Sequence, residues 1–152
     1  ARSFGGISMT DNPFATFNIT TPRRYTEEIK KYCQTSGGQV THKYAPFKRQ
    51  VDFWYLAFLY AVRQGLQPVK ETDSVNMTTA TILTQEPYRV SYIQLSHLGE
   101  FQDINLLAEH RVVFEWAISM ANAGIPYLLQ IVSDTEDTPL DNLLTEVEGI
   151  LG

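Results

Sequence analysis

The stretch Val51–Val62 constrains this chain more than any other, because eleven of its twelve residues are apolar and Asp52 is its one charge. It has no alternation of apolar and polar residues and is longer than an ordinary strand. The pattern predicts a helix over Lys48–Gln64, closed by Gly65, the residue best suited to a left-handed cap. Apolar side chains occupy almost its whole circumference, which a helix with one face in water does not tolerate. Other elements must therefore pack around it. With Asp52 inside and Arg49 and Arg63 at its flanks, it is too short and too charged to span a bilayer, and no other apolar run reaches the roughly 18 to 20 residues required.

There is enough apolar material for one such core. The chain has 152 residues, 43% of them apolar and 19% charged, which predicts a single compact domain rather than a disordered tail or two cores. The lone cysteine, Cys33, cannot form an internal disulfide, so a reducing cytoplasm is the expected compartment. Residues 1–8 are too short and too polar for a signal peptide and read as an addition ahead of a native start at Met9, leaving 9–152 as the domain.

The remaining periodicities are helical. Tyr25, Ile29, Tyr32 and Cys33 recur at helical spacing, predicting a helix over Pro22–Thr35 that Ser36-Gly37-Gly38 stops. Leu66–Val75 reads as a loop. Thr78–Thr84 fits a short helix better than a strand, although β-branched residues dominate it. Pro87 opens a helix expected to end at Gly99. Asp103 caps another, expected to run to Ala123 and stop at Gly124. Pro126 restarts a short helix through Val132, and Thr138-Pro139 with Asp141 starts the last. The expected fold is all-α, a compact bundle of six or seven helices around a buried central one.

Charge is unevenly spread along the chain. The net value is -5, yet Arg23–Arg49 holds seven basic residues (Arg23, Arg24, Lys30, Lys31, Lys43, Lys48, Arg49) against two acids, a local balance of +5. From Asp134 onward there are six acids and no base. The overall balance argues against a whole-surface nucleic-acid binder. The basic segment, interleaved with Tyr25, Tyr32, Tyr44 and Phe47, keeps a local contact with DNA or RNA open, while the acidic end suits a basic partner or a second copy of the chain.

Few residues offer chemistry. There is no Gly-x-Ser-x-Gly elbow, no phosphate-binding glycine loop, no His-Glu-x-x-His pair and no Cys-x-x-Cys clip. Cys33 has Lys30, Lys31 and His42 near it in sequence, but a lone cysteine on an apolar helix face reads first as packing. His97, Glu100 and Asp103 come nearest to a metal set, with Gly99 expected to break the helix that would align them. Glu109 and Glu115 do not share a helix face. No cofactor or metal is expected. Asp52 has three readings: a first-turn acid favoured by the helix dipole, a structural ion pair with Arg49, Arg89 or Arg111, or a functional carboxylate.

Two stretches carry a resemblance. Ala45-Pro46-Phe47-Lys48-Arg49-Gln50-Val51-Asp52-Phe53, leading to Gly65, and Phe114-Glu115 followed by Ala121-Asn122-Ala123-Gly124-Ile125 resemble the small accessory proteins encoded beside bacterial DNA phosphorothioation (Dnd-type) and related phage-defence systems. The matching positions are Phe47, Asp52, Gly65, Glu115, Ala121, Asn122 and Gly124; aromatic Phe53-Trp54-Tyr55 stands where that family has smaller residues. The resemblance implies a non-enzymatic accessory or adaptor subunit with a protein partner and no catalytic residue to transfer. The alternatives are direct nucleic-acid binding through residues 23–49, or an enzyme whose site is assembled in space around Cys33, His42 or His110. A homo-oligomer is compatible with each, and no membrane partner is expected.

Overall fold

The computed structural model describes residues 12–34 and 41–151, and the expectations for residues 1–8, Met9, Thr35 and Ser36-Gly37-Gly38 lie outside them. The chain is mostly helical, with a small two-stranded sheet. It divides into two compact units, one made of the described part of Ala1–Thr20 with Asn76–Ile118, the other of Thr21–Val75 and Ser119–Gly152.

The sheet corrects the all-α expectation. Strand β1 (Asn18–Pro22) pairs with β2 (Ser74–Thr79). Its Ile19 and Thr21 are buried at alternate positions, the period-2 signature of a half-buried strand. Thr78 and Thr79, expected in a short helix, end β2, and a 3-10 helix follows over Ala80–Gln85. The β-branched threonines go to the strand; Ala80 and Leu83, the buried pair, go to the helical turn.

In the second unit, a 3-10 turn at Arg23–Tyr25 leads into α1 (Thr26–Lys31), shorter than the sequence predicts. The chain then turns out of helix at Tyr32, and Cys33 forms a bridge with Phe47. The long apolar segment forms α2 (Gln50–Gln64), with Gly65 at φ +65 as its cap. Phe53, Trp54, Ala57, Phe58 and Ala61 are fully buried. The strip along Asp52, Leu56, Leu59 and Tyr60 is only partly covered, and Arg63 is exposed. Thus α2 is interior over most of its circumference rather than all of it.

Helix α4 (His110–Ser133) overturns two expected boundaries. It runs without interruption through Gly124 and Pro126, so neither the stop nor the restart exists. Gly124 serves a crossing instead: a β-carbon there would overlap the Ala57 carbonyl oxygen and lie 2.9 Å from its carbonyl carbon. Glycine lets the backbones of α2 and α4 meet, and the packing holds the helix through a residue that ordinarily ends one. By length and composition α4 could cross a membrane, but 72% of its most apolar window is buried inside the protein. Ile125, Leu128, Leu129 and Val132 join Ile29, Cys33, Phe47, Phe53, Ala57 and Leu143 in one apolar cluster.

Helix α5 (Pro139–Leu151) starts as its sequence predicts. The Thr138 hydroxyl accepts the Asp141 N–H at 3.2 Å and donates to the Asp141 carboxylate at 2.9 Å, satisfying amides the first turn leaves open.

In the first unit, α3 (Pro87–Phe101) passes through Gly99 and is closed by Gln102 at φ +53. Phe101 stays helical because its ring lies 4.4 Å from His97, one turn back, and 6.0 Å from Trp116. Asp103 does cap, accepting the Asn105 N–H at 3.0 Å. The capped element is a separate 3-10 helix over Ile104–Ala108, and α4 begins only after it. The polar run Glu109-His110-Arg111 breaks the apolar period there. Phe14, Phe17 and Phe114 form an aromatic cluster with ring centroids 5.0 to 6.5 Å apart.

Candidate functional site

Asp52, Cys33 and His97 are held in structure, while His42, His110, Glu109 and Glu115 are exposed. Asp52 sits at the third position of α2, where its carboxylate accepts the Arg49 N–H at 3.0 Å and the Arg49 guanidinium at 2.8 and 3.3 Å. The Asp52 N–H returns to the Arg49 carbonyl at 3.1 Å. Helix-start acid and ion pair, separate readings in the sequence, are one arrangement. Arg89 lies 3.5 Å from Glu86 at the start of α3, and Arg111 lies over the Phe17 ring at 4.8 Å.

Cys33 is buried, and its thiol donates to the Ile29 carbonyl at 3.3 Å. Burial, with a smaller contribution from the Asp52 charge, pushes its pKa from 9.0 up to about 12. A thousandfold less thiolate then exists at any neutral pH. Alkylation of the native protein at pH 7.5 is therefore expected to be at least a hundredfold slower than in denaturant; a native rate within tenfold of the unfolded rate contradicts this burial. His42 is exposed, with Nδ1 2.8 Å from Gln34 Nε2, and His110 is exposed at the start of α4. Glu109 and Glu115 are both exposed.

His97 is buried against Phe101 and meets Trp116 edge-on at 5.2 Å. Glu100 and Asp103 are exposed, and among the described residues no set of three side chains is placed to hold a metal. Burial lowers the His97 pKa below its ordinary 6.5. The unfolded chain therefore takes up a proton that the folded one refuses. Stability is fully present above about pH 6.5 and declines as pH falls through that value. The melting temperature is expected to fall between pH 7 and pH 5 with a slope that His97→Leu reduces; identical slopes in the two proteins would contradict it.

No family model, curated protein or solved structure matches this chain. Of the seven basic residues between 23 and 49, four are ion-paired among the described residues. Arg23 pairs with Asp73, Arg24 with Glu71, Lys30 with Glu27 and Arg49 with Asp52. Asp73 and Glu71 lie far outside the basic stretch, so a count along the sequence missed them. Lys31, Lys43 and Lys48 are exposed. Of the interleaved aromatics, Phe47 packs edge-on against Phe53 at 5.0 Å and Tyr25 lies under the Arg24 guanidinium at 4.7 Å. Tyr32 packs on the apolar cluster, and Tyr44 is 58% exposed.

The acidic end is organised by α5. Leu143 faces the core, and the Arg63 guanidinium donates to the Ile150 carbonyl at 3.2 Å, tying the end of α5 to the end of α2. Beside Leu143 around the helix, Val147 (39% exposed, about 40° away) and Leu144 (51%, about 100° away) extend its apolar side into solvent, with Glu148 one turn beyond Leu144. Asp134, Glu136 and Asp137, in the turn before the helix, are exposed too. The basic and acidic segments meet in space, where the Lys43 carbonyl accepts the Leu140 N–H at 3.0 Å and Leu143 joins Ile29, Cys33 and Phe47 in the apolar cluster. Separation in sequence is thus not separation in space.

Proposed function

We propose that this chain is a non-enzymatic accessory or adaptor subunit, a bundle of helices about α2 that acts through protein–protein contacts in a bacterial DNA-modification or antiviral defence system. The observation that supports it is the exposed flank of α5, where Leu144 and Val147 stand near Glu148, after the exposed Asp134, Glu136 and Asp137 of the preceding turn. Apolar side chains framed by one sign of charge suit a partner helix or groove of opposite charge. The defence setting rests on the resemblance around Phe47–Asp52 and Ala121–Gly124. Those positions serve the start of α2 and its crossing with α4, so they support a shared scaffold, and the partner-specific surface lies elsewhere. The proposed setting is cytoplasmic, with DNA reached through the partner.

Affinity purification of the tagged chain from its native host tests this. Recovery of a DNA-modification or restriction subunit, lost on Leu144→Lys with Glu148→Lys, is the expected result. Recovery of the chain alone, or a complex indifferent to both substitutions, would count against the reading.

Exposed Tyr44 beside Lys43, with Lys31 and Lys48 in the same segment, favours a second reading, direct contact with single-stranded nucleic acid. Three phosphate contacts would make log K fall with log salt at a slope of about -2 to -3. A gel shift titrated with salt separates the two, since the adaptor reading expects no shift by the isolated chain.

A further inference from the structure

Residues 98–112 of the first unit run without a single buried side chain. They comprise the last turn of α3, the 3-10 helix over Ile104–Ala108 and the first turn of α4. His97, the last buried residue of α3, fixes one end of the stretch, and fully buried Val113 fixes the other. Between them the hold is light. Leu98, Leu106 and Leu107 are only partly covered. The Phe101 ring rests on His97 and Trp116, yet the residue is 47% exposed. Helix α3 closes with the Gln102 N–H donating to the Leu98 carbonyl at 2.7 Å, and Gln102 holds a left-handed φ of +53 that glycine takes more easily.

The residue at the base of this stretch can change its charge. His97 Nδ1 is enclosed and has no hydrogen-bond partner among the described residues. A neutral imidazole can leave one nitrogen as an idle acceptor. An imidazolium makes both nitrogens donors, so the enclosed site would hold a charged N–H with nothing to receive it. No counter-charge waits inside. The parts of the unit at 12–20 and 76–85 have no ionisable side chain, and neither does the 3-10 helix over Ile104–Ala108. At the start of α3, Arg89 lies beside Glu86. Further along it, Tyr88, Tyr92 and Glu100 are exposed. Asp103 and Glu109 are exposed on the connection to α4, as are His110, Arg111 and Glu115 on α4 itself.

We propose that residues 98–112 are a flap latched by His97, which lifts from Trp116 when the imidazole takes up a proton. Opening brings the imidazolium to water, where the Glu100 carboxylate already lies, and adds the Phe101 ring to the apolar surface that Ile104 (69% exposed) presents. One proton taken up on opening makes the open form more populated by as much as tenfold per pH unit below about pH 6.5. The rest of the chain stays folded. The inference is independent of the adaptor reading, since it uses residues of the first unit alone.

Native-state hydrogen exchange at pH 7.5 and 5.5, with each rate divided by that of an unstructured chain at the same pH, measures the opening. Protection of the Phe101 and Gln102 amides is expected to fall about five- to tenfold, the upper figure being the most that one group of pKa about 6.5 allows over this interval. It should be indifferent to low urea, and the α2 amides should stay at least a hundredfold better protected at both pH values. In His97→Leu, with folding verified by circular dichroism, the change with pH should shrink below twofold. Phe101→Ala keeps the imidazole and loosens the flap, so it should lower protection of the Gln102 amide at both pH values and leave α2 as it was. A wild-type change below twofold overturns the inference, as do amides already unprotected at pH 7.5. A pH dependence that persists in His97→Leu overturns it as well. So does exchange of Phe101 and Gln102 with the free energy and urea dependence of α2, because the proton would then act only through unfolding of the whole chain.

Discussion

Gly124→Ala should lower the melting temperature by about 10 °C, although it replaces the second-worst helix residue with the best. Helix preference alone predicts a gain of about 1 kcal/mol. The contact decides the sign. The added carbon would overlap the Ala57 carbonyl oxygen, and the obstacle is backbone in the middle of α2, which no rotamer change can move. Relief requires α2 and α4 to separate along a crossing lined by Phe53, Ile125 and Leu128, all fully buried. Overpacking of this kind costs on the order of 3 kcal/mol, and at about 2 to 4 °C per kcal/mol for a chain of this size the shift follows. Gly124→Val should be worse. Thermal denaturation followed by circular dichroism suffices, and a rise in melting temperature would mean that the helices do not cross at Gly124. Gly99→Ala is the internal contrast: with nothing near its β-carbon, the fold should be unchanged or slightly stabilised.

Truncation along α2 should be costly in more than one direction. Phe53 and Trp54 are adjacent, so they point about 100° apart around the helix. Both are fully buried. Phe53 meets Phe47 edge-on, and Trp54 stacks toward Phe58 with ring centroids 6.4 Å apart. Phe53→Ala and Trp54→Ala are each expected to remove about 3 to 5 kcal/mol, the lost burial together with the cavity left behind. Gln64→Ala, at the exposed end of the same helix, should stay within about 0.5 kcal/mol of the parent. Urea melts of the three variants give the comparison. A helix with a wet face would show one large and one small loss for the two aromatics, and that pattern would contradict the interior placement of α2.

Local signals were legible wherever a single element decides the outcome. The end of α2 at Gly65, the start of α3 at Pro87 and the Thr138–Asp141 cap of α5 follow from residue chemistry that acts within one turn. The failures share a cause in tertiary contact. Gly99 and Gly124 look alike as helix stops in a sequence, yet neither stops anything. Gly124 is held in helix by Ala57, and the turn after Gly99 is held by the packing of Phe101 on His97. The sheet was missed because β1 is five residues long, too few for alternation to register, and its partner arrives some fifty residues later. The charge asymmetry was real in sequence and reduced in space, since Glu71 and Asp73 return to Arg24 and Arg23. Asp52 stands out in sequence as the one charge in an apolar helix, and in the fold its helix-start and ion-pair readings are a single arrangement. The sides of α3 were legible only as helix periodicity. Nothing in the spacing of Tyr88, Tyr92 and Leu95 says which side faces water; burial of Val90, Ile93 and His97 does.

The reading of the α5 surface depends on α2 being interior, for only then is Asp52 committed to structure and the apolar core closed beneath α5. Native-state hydrogen exchange tests this most directly. The amides of Phe53–Ala61 are expected to exchange only through global unfolding, with protection that matches the free energy from denaturant melts and exceeds that of the exposed Gln67 and Lys70 amides by orders of magnitude. Exchange of the α2 amides at rates close to those of Gln67 and Lys70 would contradict the account.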